Sequence, residues 1–182
     1  MNWENMVDNS LNMKFIAINK DMRDAADNLS KEMGSLKNSI LDGTGNIYGF
    51  LGELIVSKYL NIPTSNSYDY DLIIPSNGIK ADIKTKISDY FPKPDYDCPI
   101  SAFNTRQKCD VYIFCRVNKK MEGGLILGYL PKQEYYEKAV KKLKGDFFHG
   151  STLPVKSDYY SVFIKELRNV DDLTVDKPRL FL

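Results

Sequence analysis

The chain has 182 residues, 43% of them hydrophobic, and a formal net charge of +1 at pH 7. This length and composition predict one globular domain over residues 1–182, with a sizeable core and little room for a second domain. The near-neutral charge excludes a uniformly basic protein, so a surface for nucleic acid would have to come from local clustering of cations.

Cysteine and histidine are too sparse to suggest several familiar kinds of site. The only histidine, His149, argues against histidine-based protease or nuclease chemistry. Cys98, Cys109 and Cys115 form no CxxC pair, so we expect reduced structural thiols rather than a zinc site. The chain shows neither a signal-peptide pattern nor an apolar run of about 18 residues, and we therefore predict a cytoplasmic protein.

Residues 1–44 are expected to form an N-terminal helical extension. Met13 to Ile18 is a short apolar run that predicts a strand. Asn19 or Asp21 could cap a following helix that ends at about Ile40, because apolar residues recur along one side of it. That helix would shield a sheet.

Residues 45–60 carry apolar side chains at helical spacing and one acid, Glu53. A carboxylate on or beside an apolar face needs a partner. Gly45, Gly49 and Gly52 lack the preceding strand and the Lys-Ser/Thr pair of a phosphate-binding loop. We expect these glycines to turn the chain and to let the Glu53 helix lie close to its neighbours.

A β-hairpin is predicted next. Tyr70 to Ile74 and Ile79 to Ile87 have strand composition, and the sequence PSNG between them is typical of a turn. Side chains two positions apart in a strand share a face, so Asp82 and Lys84 should project together.

This hairpin predicts a cluster of carboxylates. The short turn can bring Asp71 beside Asp82, and Lys86 could continue the row of Lys84. Adjacent carboxylates repel each other unless a cation intervenes, and oxygen ligands suit Mg²⁺ or Mn²⁺. Glu53 would add a third acid. The alternative is that alternating acids and lysines form only a solvated strand face.

The order of these residues resembles that of the PD-(D/E)XK nuclease superfamily, which has the restriction-endonuclease-like fold. The residues that carry the resemblance are Glu53 in GFLGE, Asp71 in YDYDL, and Asp82 and Lys84 in ADIKTK. The resemblance implies that the three acids bind one or two divalent metal ions, with the backbone carbonyl of Ile83 as a further ligand. It also implies that Lys84 orients or activates the attacking water.

The residue before Asp71 departs from the family pattern, because Tyr70 replaces the proline of the family name. Asp69 is an alternative to Asp71, since both lie on the same strand face. We favour Asp71 because the apolar run Leu72 to Ile74 follows it directly. The resemblance covers residues 47–117.

Residues 88–99 contain three prolines and are predicted to form a loop. A loop just beyond the Asp-x-Lys strand is well placed to contact a substrate. Its Tyr90, Phe91 and Tyr96 could stack on bases, or could instead pin the loop to the body of the protein.

Ser101 to Lys108 is predicted to form a short helix whose polar residues suit contacts with phosphate groups. The candidates for binding nucleic acid are Asn104, Arg106, Gln107 and Lys108, together with Lys86 on the preceding strand. The family resemblance further implies that Gln107 could support the metal site or contact DNA.

The second half of the chain should complete the sheet. Asp110 to Val117 predicts a central strand buried on both faces, and Gly123 to Leu130 a further strand. Pro131 should open a helix through Lys144. Tyr159 to Leu167 predicts an edge strand. The helix would carry either a cationic face for DNA or a solvated end, with the lysines at 138, 141, 142 and 144.

The predicted fold is α/β, a mixed central β-sheet of about five strands flanked by helices, with the αβββαβ core that the resemblance implies. Residues 47–117 would be the catalytic core, and residues 118–182 the C-terminal strands and helix. The expected function is Mg²⁺-dependent hydrolysis of phosphodiester bonds in DNA, by a stand-alone nuclease of the phage type. Analogy with the family also suggests a homodimer.

Two alternatives from other functional classes stay open. The first is a nucleic-acid-binding module of the same fold that has lost catalysis. The second is a protein-interaction factor, such as one that counters a host defence system, and twelve tyrosines and a near-zero charge are compatible with it. The choice between DNA and RNA is also open.

Overall fold

A computed structural model of the chain describes residues 3–6, 12–33, 44–65, 67, 69–147 and 154–174. In chain order its helices and strands are β1 (Lys14–Ala17), α1 (Lys20–Met33), α2 (Thr44–Leu60), β2 (Leu72–Ile73), β3 (Lys80–Ser88), β4 (Asp97–Ser101), β5 (Val111–Asn118), β6 (Gly123–Pro131), α3 (Lys132–Lys138), β7 (Val140–Lys142) and β8 (Tyr159–Phe163). The predicted α/β fold with a mixed central sheet is confirmed. None of the described helices is both long and apolar enough to cross a bilayer.

The central sheet has five strands in the order β1-β6-β5-β3-β2. β3 and β5 run parallel, whereas the other neighbouring pairs are antiparallel. β5 lies in the middle, and its residues 111–117 are all buried, as the continuous apolar sequence predicts. Because parallel strands need a long crossover, residues 89–110 connect β3 to β5 through a second sheet of order β4-β8-β7.

Hydrophobic cores lie on both faces of the central sheet. One core joins α1 and α2 to the sheet and includes Leu51, Ile55, Ile83 and Ile113. The other joins the second sheet and α3 to the opposite face and includes Trp3, Tyr112, Phe114 and Tyr135. Side chains of β3 and β5 alternate between the two cores, as strand geometry requires. Cys98, Cys109 and Cys115 are free and buried, as expected of structural thiols.

The N-terminal elements form as predicted. The apolar run Met13 to Ile18 contains β1. Asn19, rather than Asp21, caps α1, because its Oδ1 accepts a hydrogen bond from the backbone N of Met22 at 3.0 Å. The last described residue of α1 is Met33, and the predicted end at Ile40 lies outside the described residues.

The glycines before Glu53 lie within α2, so the prediction that Gly45, Gly49 and Gly52 turn the chain is wrong. The predicted close approach is confirmed at Gly52. A Cβ built there would overlap Thr85 Oγ1 and lie 3.0 Å from Thr85 Cβ on β3. The absence of a side chain at Gly52 therefore sets how closely the helix approaches the sheet.

Residues 97–101 form an edge strand of the second sheet, although the proline content predicts a loop. Pro99 is tolerated there because an edge strand leaves some of its N–H groups unpaired. The predicted helix Ser101 to Lys108 is reduced to a 3₁₀ turn over Ala102–Asn104, capped by the Ser101 side chain. The expected order is αβββαβ. Its third strand corresponds to β4, which belongs to the second sheet, and its second helix corresponds to the 3₁₀ turn Ala102–Asn104.

The helix that begins after Pro131 ends at Lys138, six residues earlier than predicted. Ala139 is extended, and Val140–Lys142 pairs with β8, so the predicted helical row of lysines does not exist. β8 is the middle strand of its sheet and not an edge strand. It stops at Phe163, where a 3₁₀ turn follows. His149 lies outside the described residues.

Candidate metal-binding and catalytic site

The predicted hairpin places Asp71 beside the middle of β3. Leu72 pairs with Ala81, and the backbone N of Asp71 donates to the carbonyl of Ala81 at 2.8 Å. The Asp71 side chain then turns along β3, where its Oδ2 accepts a hydrogen bond from the backbone N of Ile83 at 2.6 Å. Asp71 thus occupies the edge of β3 that β2 leaves uncovered.

Asp82, Lys84 and Gln107 form a closed ring of polar contacts. Lys84 Nζ lies 2.5 Å from Asp82 Oδ2 and donates to Gln107 Oε1 at 2.8 Å. Gln107 Nε2 donates in turn to Asp82 Oδ1 at 3.3 Å. Asp82 is only 3% exposed, so the alternative of a solvated strand face is wrong. A buried charged group held this way is typical of a functional site or a structural ion pair.

Glu53 and Asp71 lie in a strained electrostatic environment. Burial, followed by the charges of Asp71 and Asp82, raises the pKa of Glu53 to about 8, although Lys84 opposes the shift. Burial and the neighbouring Asp82 carboxyl likewise raise the pKa of Asp71. Glu53 makes no hydrogen bond or salt bridge with another described residue. We refer to Glu53, Asp71, Asp82 and Lys84 as the acidic cluster.

The acidic cluster spans an edge of the sheet rather than one face. Asp82 and Lys84 project towards the second sheet, whereas α2, which carries Glu53, covers the opposite face. Within the described ranges, no three acidic, histidine or cysteine side chains are close enough to hold a metal ion as they stand. Asp71 lies at the open edge of β3, beside Asp82.

The backbone of Ile83 adds an oxygen to this edge. The N–H and C=O of one strand residue point to the same side, and the N–H of Ile83 points to Asp71. The Ile83 carbonyl therefore points to the same open side. Asp71, Asp82 and this carbonyl are oxygen donors of the kind that Mg²⁺ prefers, and Mg²⁺ usually keeps several waters beside one or two carboxylates. These donors are of the kind that would hold Mg²⁺ or Mn²⁺, and the Glu53 carboxyl lies close enough to interact electrostatically with both aspartates.

Asp69, the alternative to Asp71, serves a different purpose. Its Oδ1 accepts a hydrogen bond from the backbone N of Lys108 at 3.3 Å. Asp69 thereby fixes the segment that carries Gln107, and Asp71 is the aspartate of the acidic cluster.

Two further residues support the ring and were missed in the sequence. The Lys84 ammonium lies 5.8 Å from the centroid of the Tyr112 ring, and Lys132 donates through Nζ to the carbonyl of Gln107. Tyr112 pairs with Asp82 in the parallel ladder, and Lys132 begins α3. Both contacts depend on the crossover, which no local sequence pattern specifies.

The candidates for binding nucleic acid are divided between two places. Arg106 and Lys108 are exposed on either side of Gln107, and Asn104 ends the 3₁₀ turn with its side chain outside the described part. Lys86 instead lies beside Arg116 between the two sheets. Phe103, which sequence reasoning missed, is 81% exposed next to this segment.

Most of the aromatic side chains in residues 88–99 anchor that segment. The rings of Phe91 and Trp3 meet edge to face at 6.3 Å, and Arg116 lies 5.3 Å from the Tyr96 ring centroid. Tyr90 is exposed and is the one that could reach a base.

No protein-family model matches the chain, and a search of curated proteins finds no match either.

The raised pKa of Glu53 predicts a pH-dependent stability in the absence of metal. The folded state holds a proton on Glu53 up to about pH 8, whereas the unfolded chain releases it near the ordinary value of 4.5. This contribution of Glu53 to stability is therefore fully present below pH 4.5 and is lost as the pH rises through 8, by up to about 5 kcal/mol. The raised pKa of Asp71 also makes the folded state less stable as the pH rises.

Urea unfolding in EDTA at pH 5.5, 7 and 8.5 measures this loss. Glu53→Gln should flatten the dependence, and Mg²⁺ or Mn²⁺ should stabilise the protein more at pH 8.5 than at pH 5.5, because metal binding displaces the protons. A stability that rises with pH in EDTA would contradict the prediction.

Proposed function

We propose that the chain is a Mg²⁺- or Mn²⁺-dependent nuclease that hydrolyses phosphodiester bonds in DNA. The observation that carries the proposal is the buried Asp82–Lys84–Gln107 ring beside the Asp71 and Glu53 carboxyls, whose pKa values are raised. Carboxyl groups whose charges destabilise one another are expected where a cation is to be bound. A purely structural ion pair would not need the two additional acids.

Each residue of the acidic cluster has a distinct part in this proposal. A bound Mg²⁺ or Mn²⁺ would lower the pKa of a coordinated water and offset charge on the phosphate oxygens. Asp71 and Asp82 would hold the ion, with the Ile83 carbonyl and Glu53 completing its surroundings. Lys84, whose position Gln107 and Asp82 fix, would place a proton donor beside the attacking water and the phosphate.

The proposal is tested by incubating the purified chain with plasmid DNA, single-stranded DNA and RNA. Each substrate is used with Mg²⁺, with Mn²⁺ and with EDTA. We expect DNA cleavage with either metal ion and none in EDTA. If only RNA is cleaved, and only with a metal ion, the proposed mechanism holds but the substrate is RNA and not DNA. Binding without cleavage would favour the catalytically silent module, and neither binding nor cleavage would favour the protein-interaction factor.

Gln107→Ala should lower the cleavage rate by about 10- to 100-fold, the usual effect of losing a residue that orients a metal ligand. Gln107 holds both Lys84 and Asp82, so its loss should also raise the Mg²⁺ concentration needed for half-maximal rate. The matched control is Gln133→Ala, since Gln133 is an exposed glutamine whose side chain bonds Glu137. Equal rates for the two variants would remove Gln107 from the site.

Phe103→Ala should weaken binding of single-stranded DNA by about 1–3 kcal/mol, the usual contribution of stacking an aromatic ring on a base. Phe103 is highly exposed, so the thermal midpoint should stay close to that of the wild type. Fluorescence anisotropy in EDTA measures the affinity. Phe147→Ala is the control, because Phe147 is also an exposed aromatic residue and lies outside this segment, in an isolated bridge with Pro154. An unchanged affinity for Phe103→Ala would contradict the prediction.

A further inference from the structure

A partly open cavity of about 560 Å³ lies between the two sheets. Its walls come from β3, β4, β5 and β6 and from residues 155–157 and 159. We call it the inter-sheet cavity. The charged residues of its wall are Lys84, Lys86, Asp97, Arg116 and Lys156.

Arg116 is the unusual residue of this wall. It is only 4% exposed, and its guanidinium makes no salt bridge with any described residue. Its Nη2 donates to the backbone carbonyl of Asp97 at 2.9 Å, and its flat face lies over the Tyr96 ring. Nε is buried without a hydrogen-bond partner among the described residues. A buried guanidinium normally has an anionic partner, since leaving its charge uncompensated costs several kcal/mol.

The surrounding charges reinforce this need for an anion. Lys86 lies beside Arg116, and burial, followed by the charge of Arg116, lowers the pKa of Lys86. Burial also lowers the pKa of Arg116 itself, and the nearby Asp97 carboxylate opposes the shift of both groups only in part. Lys156 adds another cation to the wall, while Asp97 is the single acid among the lining residues. The wall of the cavity therefore carries more cations than acids.

We propose that the inter-sheet cavity binds a phosphate-bearing ligand of nucleotide size, with Arg116 and Lys86 contacting the phosphate. Guanidinium groups bind phosphate through paired hydrogen bonds, and Arg116 lines the cavity with an Nε that has no partner among the described residues. A cavity of 300–1,000 Å³ is the ordinary size of a small-ligand site (about one drug-sized molecule). The apolar part of the wall, from Ile100, Phe114 and Leu127, suits a base or another flat ring.

The phosphate could belong to a free nucleotide or to the end of a nucleic-acid strand, and the chemistry of recognition is the same for both. The proposal needs no metal ion and no cleavage, because Arg116 and Lys86 stand apart from the acidic cluster. Lys84 lines both the cavity and the cluster, so a bound ligand would lie next to the candidate catalytic lysine.

Binding is tested on the full chain in EDTA, by calorimetry and thermal unfolding, with four probes. The probes are 5′-mononucleotides, the matching nucleosides, short oligonucleotides with a terminal 5′-phosphate, and the same oligonucleotides without it. We expect at least one phosphate-bearing probe to bind and to raise the thermal midpoint, and its counterpart without the phosphate to bind ~10-fold or more weakly. Tight binding of mononucleotides identifies a free ligand, and binding of phosphorylated oligonucleotides alone identifies a strand end.

Lys86→Met and Arg116→Lys locate the site. Each should weaken binding of the phosphate-bearing probe by ~10-fold or more, whereas Lys120→Met, which removes an exposed lysine elsewhere, should leave it unchanged. If Arg116→Lys does not fold, Lys86→Met decides alone. The proposal is overturned if none of the probes binds, if loss of the phosphate does not matter, or if Lys86→Met binds as the wild type does. A chain that binds here but never cleaves would overturn the nuclease proposal and leave this one intact.

Discussion

Replacing Asp82 with asparagine should lower the rate of metal-dependent DNA cleavage by about 1,000-fold or more. Asp82 is the buried member of the acidic cluster, and its carboxylate contacts both Lys84 and Gln107. Asparagine has the same shape but lacks the charge that a divalent ion requires. The expected loss corresponds to the several kcal/mol of transition-state stabilisation that a metal site supplies. Single-turnover cleavage measured at increasing Mg²⁺ concentrations gives the effect on rate and on metal affinity.

The matched control for this variant is Asp69→Asn. Asp69 belongs to the same hairpin segment but accepts a hydrogen bond from the backbone of Lys108, and an amide oxygen can accept it equally well. We expect Asp69→Asn to cleave within a few-fold of the wild-type rate. Circular dichroism shows whether each variant is folded. If folded Asp82→Asn cleaves as fast as Asp69→Asn, the acidic cluster is not the catalytic site.

Gly52→Ala should destabilise the protein by about 2 kcal/mol and lower the cleavage rate by about 100-fold. Alanine favours a helix over glycine by about 1 kcal/mol, but overpacking a buried contact costs about 1–3 kcal/mol or more. The second effect should dominate, because the new methyl group would overlap Thr85 Oγ1 and also crowd Thr85 Cβ. Pushing α2 away from β3 displaces Glu53, and a shift of about 1 Å can cost 100-fold in rate.

Gly49→Ala is the matched control, one turn earlier in the same helix. A Cβ at Gly49 meets nothing within 4 Å, so only the helix propensity should change and stability should rise by about 0.5–1 kcal/mol. Thr85→Ala removes the overlapping oxygen and should restore much of what Gly52→Ala loses. Urea unfolding of the single and double variants gives the coupling free energy. Equal stability changes at the two glycines would show that the close approach has no energetic role.

The part of the site that depends on local sequence could be predicted. Asp71, Asp82 and Lys84 belong to one hairpin, whose turn and alternation determine their relative positions. The position of Glu53 relative to the sheet, in contrast, depends on how α2 packs at Gly52. Alternation within the strand does not specify on which side of the sheet that helix lies.

The contributions from the crossover could not be predicted in the same way. Gln107 was a candidate as part of a helix, yet it reaches Lys84 from an irregular segment held by Asp69 and Lys132. The prolines of residues 88–99 led to the prediction of a loop where β4 forms. Edge strands tolerate proline, and local composition does not show that β8 will pair with this segment. The burial of Arg116 against the second sheet could not be predicted either, because the sequence of β5 does not show which elements its side chains will contact.

The parallel pairing of β3 with β5 has a consequence for the order of folding. The β2–β3 hairpin closes over a few residues, whereas the pairing of β3 with β5 must wait for residues 89–110 to order. Hairpins form in about 1–10 μs, and non-local pairings form far more slowly. We therefore expect Asp71 and Asp82 to come together early during refolding, when the hairpin forms. Gln107, Lys132 and Tyr112 should reach them only in the final, rate-limiting phase. Under the proposed function, DNA cleavage should return in step with that slow phase.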